Sequence, residues 1–175
     1  VHLVASKTGK MVTHDELEVA DGTRTLFPDM EHENLTEWGP KNFYAPFASG
    51  TAPIDGMAIV PCSMATVAGL AHGISDNLPR RAADVCLKER RPLVIVPRET
   101  PLNRAHLVNM LAVNDMGGVV LPPVPGFYGH PETIQDLVDH TVGKVLDILG
   151  VPHQLFQRWR GSDSVNVEID RGKTP

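Results

Sequence analysis

Arg98 and Glu99 are a charged pair placed directly after the apolar run Leu93-Val-Ile-Val-Pro97. A buried strand ending there delivers both side chains to one rim of a sheet. Glu99 could then pass protons to or from a substrate if desolvation raises its pKa, with a structural ion pair as the plain alternative. Pro61-Cys-Ser-Met-Ala-Thr66 joins a second apolar run to a stretch of small residues. Ser63 suits a helix N-cap there. Beyond the capping role itself, the N–H groups that follow would offer fixed donors to an anion or to a carbonyl-rich ring. Cys62 reads as a packing residue, since no histidine close in sequence would activate it. Arg81 and Lys88 lie seven residues apart on nearly one helical face, in Arg81-Ala-Ala-Asp-Val-Cys-Leu-Lys88. That spacing suits a phosphate as well as a solvated surface. Tyr128 ends the stiff loop Pro122-Pro-Val-Pro-Gly-Phe-Tyr128, and Lys144 follows on the polar side of the last helix.

Other chemistries leave no trace. The eight histidines, from His2 to His153, are scattered without metal-ligand spacing, so the reading assigns no metal site. There is no GxSxG elbow, P-loop or dinucleotide GxGxxG. A net charge of −5 argues against a general nucleic-acid binder. No apolar run approaches the ~20 residues that span a bilayer. Two cysteines embedded in apolar sequence suit a reducing cytosol, or an organelle whose targeting peptide has been removed.

The elements that must position these residues alternate between strand and helix. Val1-His-Leu-Val-Ala-Ser6 is a short strand, Lys10 to about Leu17 a brief helix, and residues 18–48 irregular. Met57-Ala-Ile-Val-Pro61 reads as a parallel strand covered on both faces. Helices follow over Ser63–Gly73 and Pro79–Glu89, then the 93–97 strand, a helix over Arg104–Met116, and a strand at Val119-Val-Leu121. In the last helix Ile134, Leu137, Val138, Thr141, Val142, Val145, Leu146 and Leu149 form an apolar stripe, with Pro131 before it and Gly150 after it. This order predicts a three-layer α/β/α domain over residues 1–161 around a doubly wound parallel sheet, with 162–175 a flexible tail. Such sheets bind ligands beyond the carboxyl ends of their strands, which singles out Ser6, Cys62-Ser63, Arg98-Glu99 and the loop to Tyr128.

Taken in order, His2-Leu-Val-Ala-Ser6, Ala48-Ser-Gly50, Pro61-Cys-Ser63, Asn77, Arg81-Ala-Ala-Asp84, Leu87-Lys-Glu-Arg-Arg-Pro-Leu93, Val96-Pro-Arg-Glu99, His106-Leu107, Asn109-Met-Leu111, Pro125-Gly-Phe-Tyr128 and Arg158-Trp159 resemble the UbiX family of flavin prenyltransferases. The resemblance implies a flavodoxin-like, Rossmann-like fold, an assembly that is typically a dodecamer of trimers, and transfer of a dimethylallyl group from dimethylallyl phosphate to reduced FMN. The prenylated FMN would serve a UbiD-type decarboxylase. By position, Ser6, Ser63, Met64, Ala65, Thr66 and Arg98 match FMN-binding residues. Tyr128, Lys144, Lys88 and Arg81 match the phosphate site, Glu99 the acid/base, Glu16 and Ser49 further active-site positions, and Trp159 a residue that closes the pocket at a subunit contact.

Two departures accompany the resemblance. The family opens with a strand and a glycine-rich loop around the FMN phosphate, whereas this sequence starts at what would be the second strand, which suggests a cleaved or partial chain. Lys144 stands where arginine is common, so the bidentate fork is lost while the charge is kept. An FMN-dependent cysteine decarboxylase of the same fold is the nearest alternative, but the asparagine- and methionine-rich motif of those enzymes is replaced here by Pro122–Tyr128. A non-catalytic flavin carrier and an inactive fragment are the others.

Overall fold

The computed structural model describes residues 1–17 and 34–159. In chain order the elements are β1 (His2–Val4), α1 (Lys7–Leu17), β2 (Thr36–Trp38), a 3-10 turn (Pro46–Ala48), β3 (Met57–Cys62), α2 (Met64–Ala71), α3 (Leu78–Lys88), β4 (Leu93–Pro97), α4 (Arg104–Asp115), β5 (Val119–Val120) and α5 (Ile134–Ile148). The tail expected over 162–175 lies outside the described residues.

All strand pairs are parallel. β4 is central in a three-stranded sheet ordered β3-β4-β5, and β1 pairs with β2 in a sheet of their own. β4 is buried along its whole length, as its unbroken apolar run demands. Leu93 and Ile95 pack with Val67 and Leu70 of α2, Ala83 and Cys86 of α3 and Val113 of α4. Val94 and Val96 point the other way, onto Val145, Ile148 and Leu149 at the end of α5. Helices therefore cover both faces of β4, giving the three layers expected.

α3 also ties the two sheets together. Its Ala83 and Cys86 join the β4 core, while Leu78 and Ala82 pack with Ala45 and Phe47, and against Val4 of β1 and Trp38 of β2. The helix starts are locally encoded. Ser63, Asn77, Asn103 and Thr133 each accept a hydrogen bond from the N–H three residues on, and α4 and α5 add reciprocal bonds from His106 and Asp136. α4 and α5 end at Gly117 and Gly150, whose positive φ angles stop the helical turn.

Four expectations need correction. β2 lies in the stretch read as irregular: three residues carry no periodicity, and the strand exists because β1 pairs with it. α1 begins at Lys7 rather than Lys10, because Ser6 Oγ accepts the Gly9 N–H and nucleates the turn earlier. β3 is not covered on both faces: Ala58 and Val60, which alternate onto one face, are exposed, Val60 at 56%. The apolar stripe of α5 is only partly buried, since the helix meets β4 through its last turns and leaves Ile134, Val138 and Val142 exposed.

Candidate active site

The carboxyl ends of β3 and β4 meet at a break in register. Cys62 stands opposite Pro97 after an irregularity beyond Ile59, and the Arg98 N–H donates to the Cys62 carbonyl at 3.4 Å. Ser63 and Arg98-Glu99 are thereby neighbours on one rim. Ser63 Oγ accepts the Thr66 N–H at 3.2 Å and contacts Thr66 Oγ1 at 3.0 Å. Within this first turn of α2 the N–H groups of Met64 and Ala65 have no intrahelical acceptor, so they face outward with the positive end of the helix dipole. Arg98 and Glu99 are exposed, and Glu99 Oε1 accepts the Thr100 N–H at 3.1 Å. Cys62 is fully buried below the rim, and burial pushes its thiol up to about 12 against the opposing pull of Arg80. A neutral, inaccessible thiol matches the packing role read from the sequence.

Arg80 was not singled out from the sequence, yet it secures α2. Its Nη2 donates to the Ala65 carbonyl at 2.6 Å and its Nη1 to Asp76 at 2.9 Å. The guanidinium lies so close to Gly69 that a Cβ there would come within 2.6 Å of Nε. Small residues in α2 thus serve the approach of an arginine, a relation visible only once the helices are packed.

Arg81, Lys88 and Ser49 belong to a second group. Arg81 Nε donates to the Ala48 carbonyl at 2.9 Å and its Nη1 pairs with Asp84 at 2.9 Å. Arg91 donates to the carbonyls of both Gly50 and Ala52 at 2.8 Å. Ser49 Oγ bonds Thr51 Oγ1 at 3.0 Å, and Lys88 pairs with Glu89, whose carboxyl that contact holds below the usual range. The Ser49 loop is thereby bracketed by cations of α3 and the turn after it. Lys88 ends α3 four residues before Pro92, whose carbonyl accepts the Met57 N–H where β3 begins. Lys88 therefore sits toward the amino ends of the strands, and β4 separates it from Glu99 by roughly 16 Å of extended chain. A single copy does not gather all the residues expected at the rim. A cavity of about 290 Å³ opens on this flank, between Leu70, Ile74, Arg80, Leu87, Lys88 and Met116.

The third group runs along α5. Tyr128 is exposed, with its ring edge-on to His140 at 6.1 Å, and His140 stacks on Phe156 at 5.0 Å. Lys144 follows His140 by one turn and is exposed, and Asp147 by a further turn. Asp147 accepts Arg158 Nη2 at 2.6 Å and contacts His153 at 3.1 Å, which fixes the segment carrying the exposed Trp159. The Arg158 hydrogen bond holds the Asp147 carboxyl at about 2. Arg158-Trp159 is legible as a motif in the sequence and Asp147 is not, although His140, Lys144 and Asp147 share the i, i+4, i+7 spacing of one helix face. Ser6 caps the start of α1 beyond β1, and Glu16 is exposed near the end of that helix.

Among the described residues no cluster of metal-ligating side chains occurs, and no helix is long and apolar enough to cross a membrane. The family model for flavoproteins matches residues 1–146. A flavin prenyltransferase UbiX from Halalkalibacterium halodurans is 48% identical over 163 residues, covering 91% of this chain and 79% of its own. The chain belongs to the flavoprotein family, in its UbiX flavin prenyltransferase group. A UbiX enzyme from Methanothermobacter thermautotrophicus is 45% identical over 90% of this chain and 83% of its own. Among solved structures, AnUbiX in complex with FMN and dimethylallyl pyrophosphate superposes with a TM-score of 0.81 at 41% identity, covering 91% of this chain and 82% of the other. A dodecameric FMN-dependent UbiX-like decarboxylase from Escherichia coli O157:H7 gives 0.80 at 46%, covering 91% and 83%. These likenesses establish the flavodoxin-like fold.

Proposed function

We propose that this chain transfers a dimethylallyl group from dimethylallyl phosphate to reduced FMN. The observation that carries the reading is the juxtaposition of Ser63 and Arg98-Glu99 across the β3–β4 rim, beneath the open N-terminus of α2. The donor set suits a flavin, whose ring carbonyls and phosphate accept hydrogen bonds from N–H groups and guanidinium. Ser6, Ser63, Met64, Ala65, Thr66 and Arg98 would hold it. Reduced FMN supplies the nucleophilic ring positions N5 and C6.

The chain's own residues bind, orient and move protons. The C–O bond of the donor breaks as its carbon bonds to N5, and phosphate leaves. Glu99 would protonate the departing phosphate oxygen; the proton released at N5 would end on the remaining alkene carbon as the second ring bond forms, and Glu99 would take the proton lost at C6. Tyr128, Lys144, Lys88 and Arg81 stabilise the departing charge, Ser49 and Glu16 complete the pocket, and Trp159 keeps water from the allylic cation. Lys88 and Ser49 lie on the far side of β4 from Glu99 within one copy, and Trp159 is exposed, so a neighbouring copy supplies them in a homo-oligomer, a dodecamer in this reading. Desolvation of Glu99 comes with that assembly. The product passes to a UbiD-type decarboxylase, in a cytoplasmic or other reducing compartment that suits two buried free thiols.

The test is incubation of the chain with FMN, a strong reductant and either dimethylallyl phosphate or pyrophosphate, followed by mass analysis of the extracted flavin. Gain of one five-carbon unit is the expected result. Bound but unmodified FMN with both donors would overturn the transferase reading in favour of a carrier.

A further inference from the structure

The outer face of α4 is an exposed stripe whose spacing is the same in both directions and whose ends carry opposite charges. Arg104, Val108, Leu111 and Asp115 recur at i, i+4, i+7 and i+11, so they fall within a narrow arc, about 180° from the buried Val113. Val108 is 46% exposed and Leu111 60%, flanked by Leu107 at 53%. A helix apolar on both faces is one buried on both faces, and adjoining exposed apolar side chains mark an interaction site. The stripe is terminated by a cation at one end and an anion at the other, both exposed, and neither is in an ion pair among the described residues.

We propose that this stripe is a self-association surface, on which α4 of one copy packs antiparallel against α4 of a second about a two-fold axis. In that arrangement Arg104 meets Asp115 of the other helix at both ends, and Val108 meets Leu111 twice across the middle. A two-fold contact demands that one patch be complementary to itself, and a stripe with opposite charges at its ends and apolar residues between them satisfies this in the antiparallel sense alone. A parallel pairing would set arginine against arginine. A partner of different sequence would need no such symmetry. The inference rests on the homo-oligomer proposed above and names the helix that builds one of its contacts.

The test is the mass of the full chain in solution, by sedimentation velocity and light scattering, with circular dichroism to monitor folding. Leu111→Glu buries a charge at the centre of the contact and should raise the concentration needed for association by more than about tenfold, leaving helicity unchanged. Arg104→Glu or Asp115→Arg alone should weaken association at low salt, and the double reversal should restore it, because each two-fold contact then regains both opposite pairs. A wild-type chain that is monomeric throughout would overturn the oligomer reading itself. An oligomeric wild type whose mass Leu111→Glu leaves unchanged would overturn only the assignment to α4. Failure of the double reversal to restore association would overturn the antiparallel pairing.

Discussion

The N–H of Arg98 meets the carbonyl of Cys62 at 3.4 Å, where β3 and β4 lose their regular register. The ladder's last bond falls where the chain turns from core to chemistry: Cys62 faces inward, fully buried, and the next residues of each strand face the rim.

Glu99 stands one residue past that bond. Glu99→Gln keeps its shape and removes its proton traffic, so FMN should bind with unchanged affinity while prenylation slows by more than about tenfold. Fluorescence titration and single-turnover mass analysis measure the two separately, and equal turnover would remove Glu99 from the mechanism.

Ser63 caps α2 and, in the proposed mechanism, helps to hold FMN. Ser63→Ala should lower thermal stability by about 1 kcal/mol through loss of the cap and weaken FMN binding as well, whereas Ser63→Thr should restore most of both. Loss of stability without loss of affinity would confine Ser63 to capping.

Asp147 should make the end of the chain's described portion acid-sensitive. Its carboxyl is lowered to about 2 by Arg158, so the contact stabilises above the ordinary carboxylate value of about 4 and fades as pH falls through about 2. NMR titration of the carboxyl should follow loosening of the segment from His153 to Arg158 over that window. Arg158→Ala should move the carboxyl upward and loosen that segment at neutral pH.

Cys62 and Cys86 are both fully buried with thiols raised by burial. Iodoacetamide should add nothing to the native chain within an hour at neutral pH and two adducts after denaturation, read by intact mass. Rapid native labelling of Cys62 would reopen a nucleophilic role.

Arg91 spans two carbonyls of the loop carrying Ser49. Arg91→Ala should speed hydrogen exchange across residues 49–52, and Arg91→Lys should rescue it only in part, because an ammonium lacks the planar fork.

What could be read in advance followed the strength of local signals. The unbroken run Leu93–Pro97, the cap at Ser63, and Pro131 and Gly150 around the last helix each carry their own instruction, and the helices and the central strand stand within a few residues of where those signals put them. β2 has no such signal: Thr36-Glu-Trp38 is a strand only because His2-Leu-Val4 lies beside it. The rim residues Ser63, Arg98 and Glu99 were legible because each follows an apolar run. Arg80, Arg91 and Asp147 were not, since each has a partner, a backbone carbonyl or a side chain, that lies 11 to 41 residues away. Motif order points to these residues as one site, and only the fold reveals that β4 divides Lys88 from Glu99.

That division has a consequence for how the enzyme should respond to dilution. If Glu99 is the acid and Lys88 the phosphate-binding cation proposed above, one copy holds them at opposite ends of a strand and owns only part of each reaction centre. Specific activity should therefore be a property of concentration, steady while copies remain associated and falling more steeply than first order once they separate.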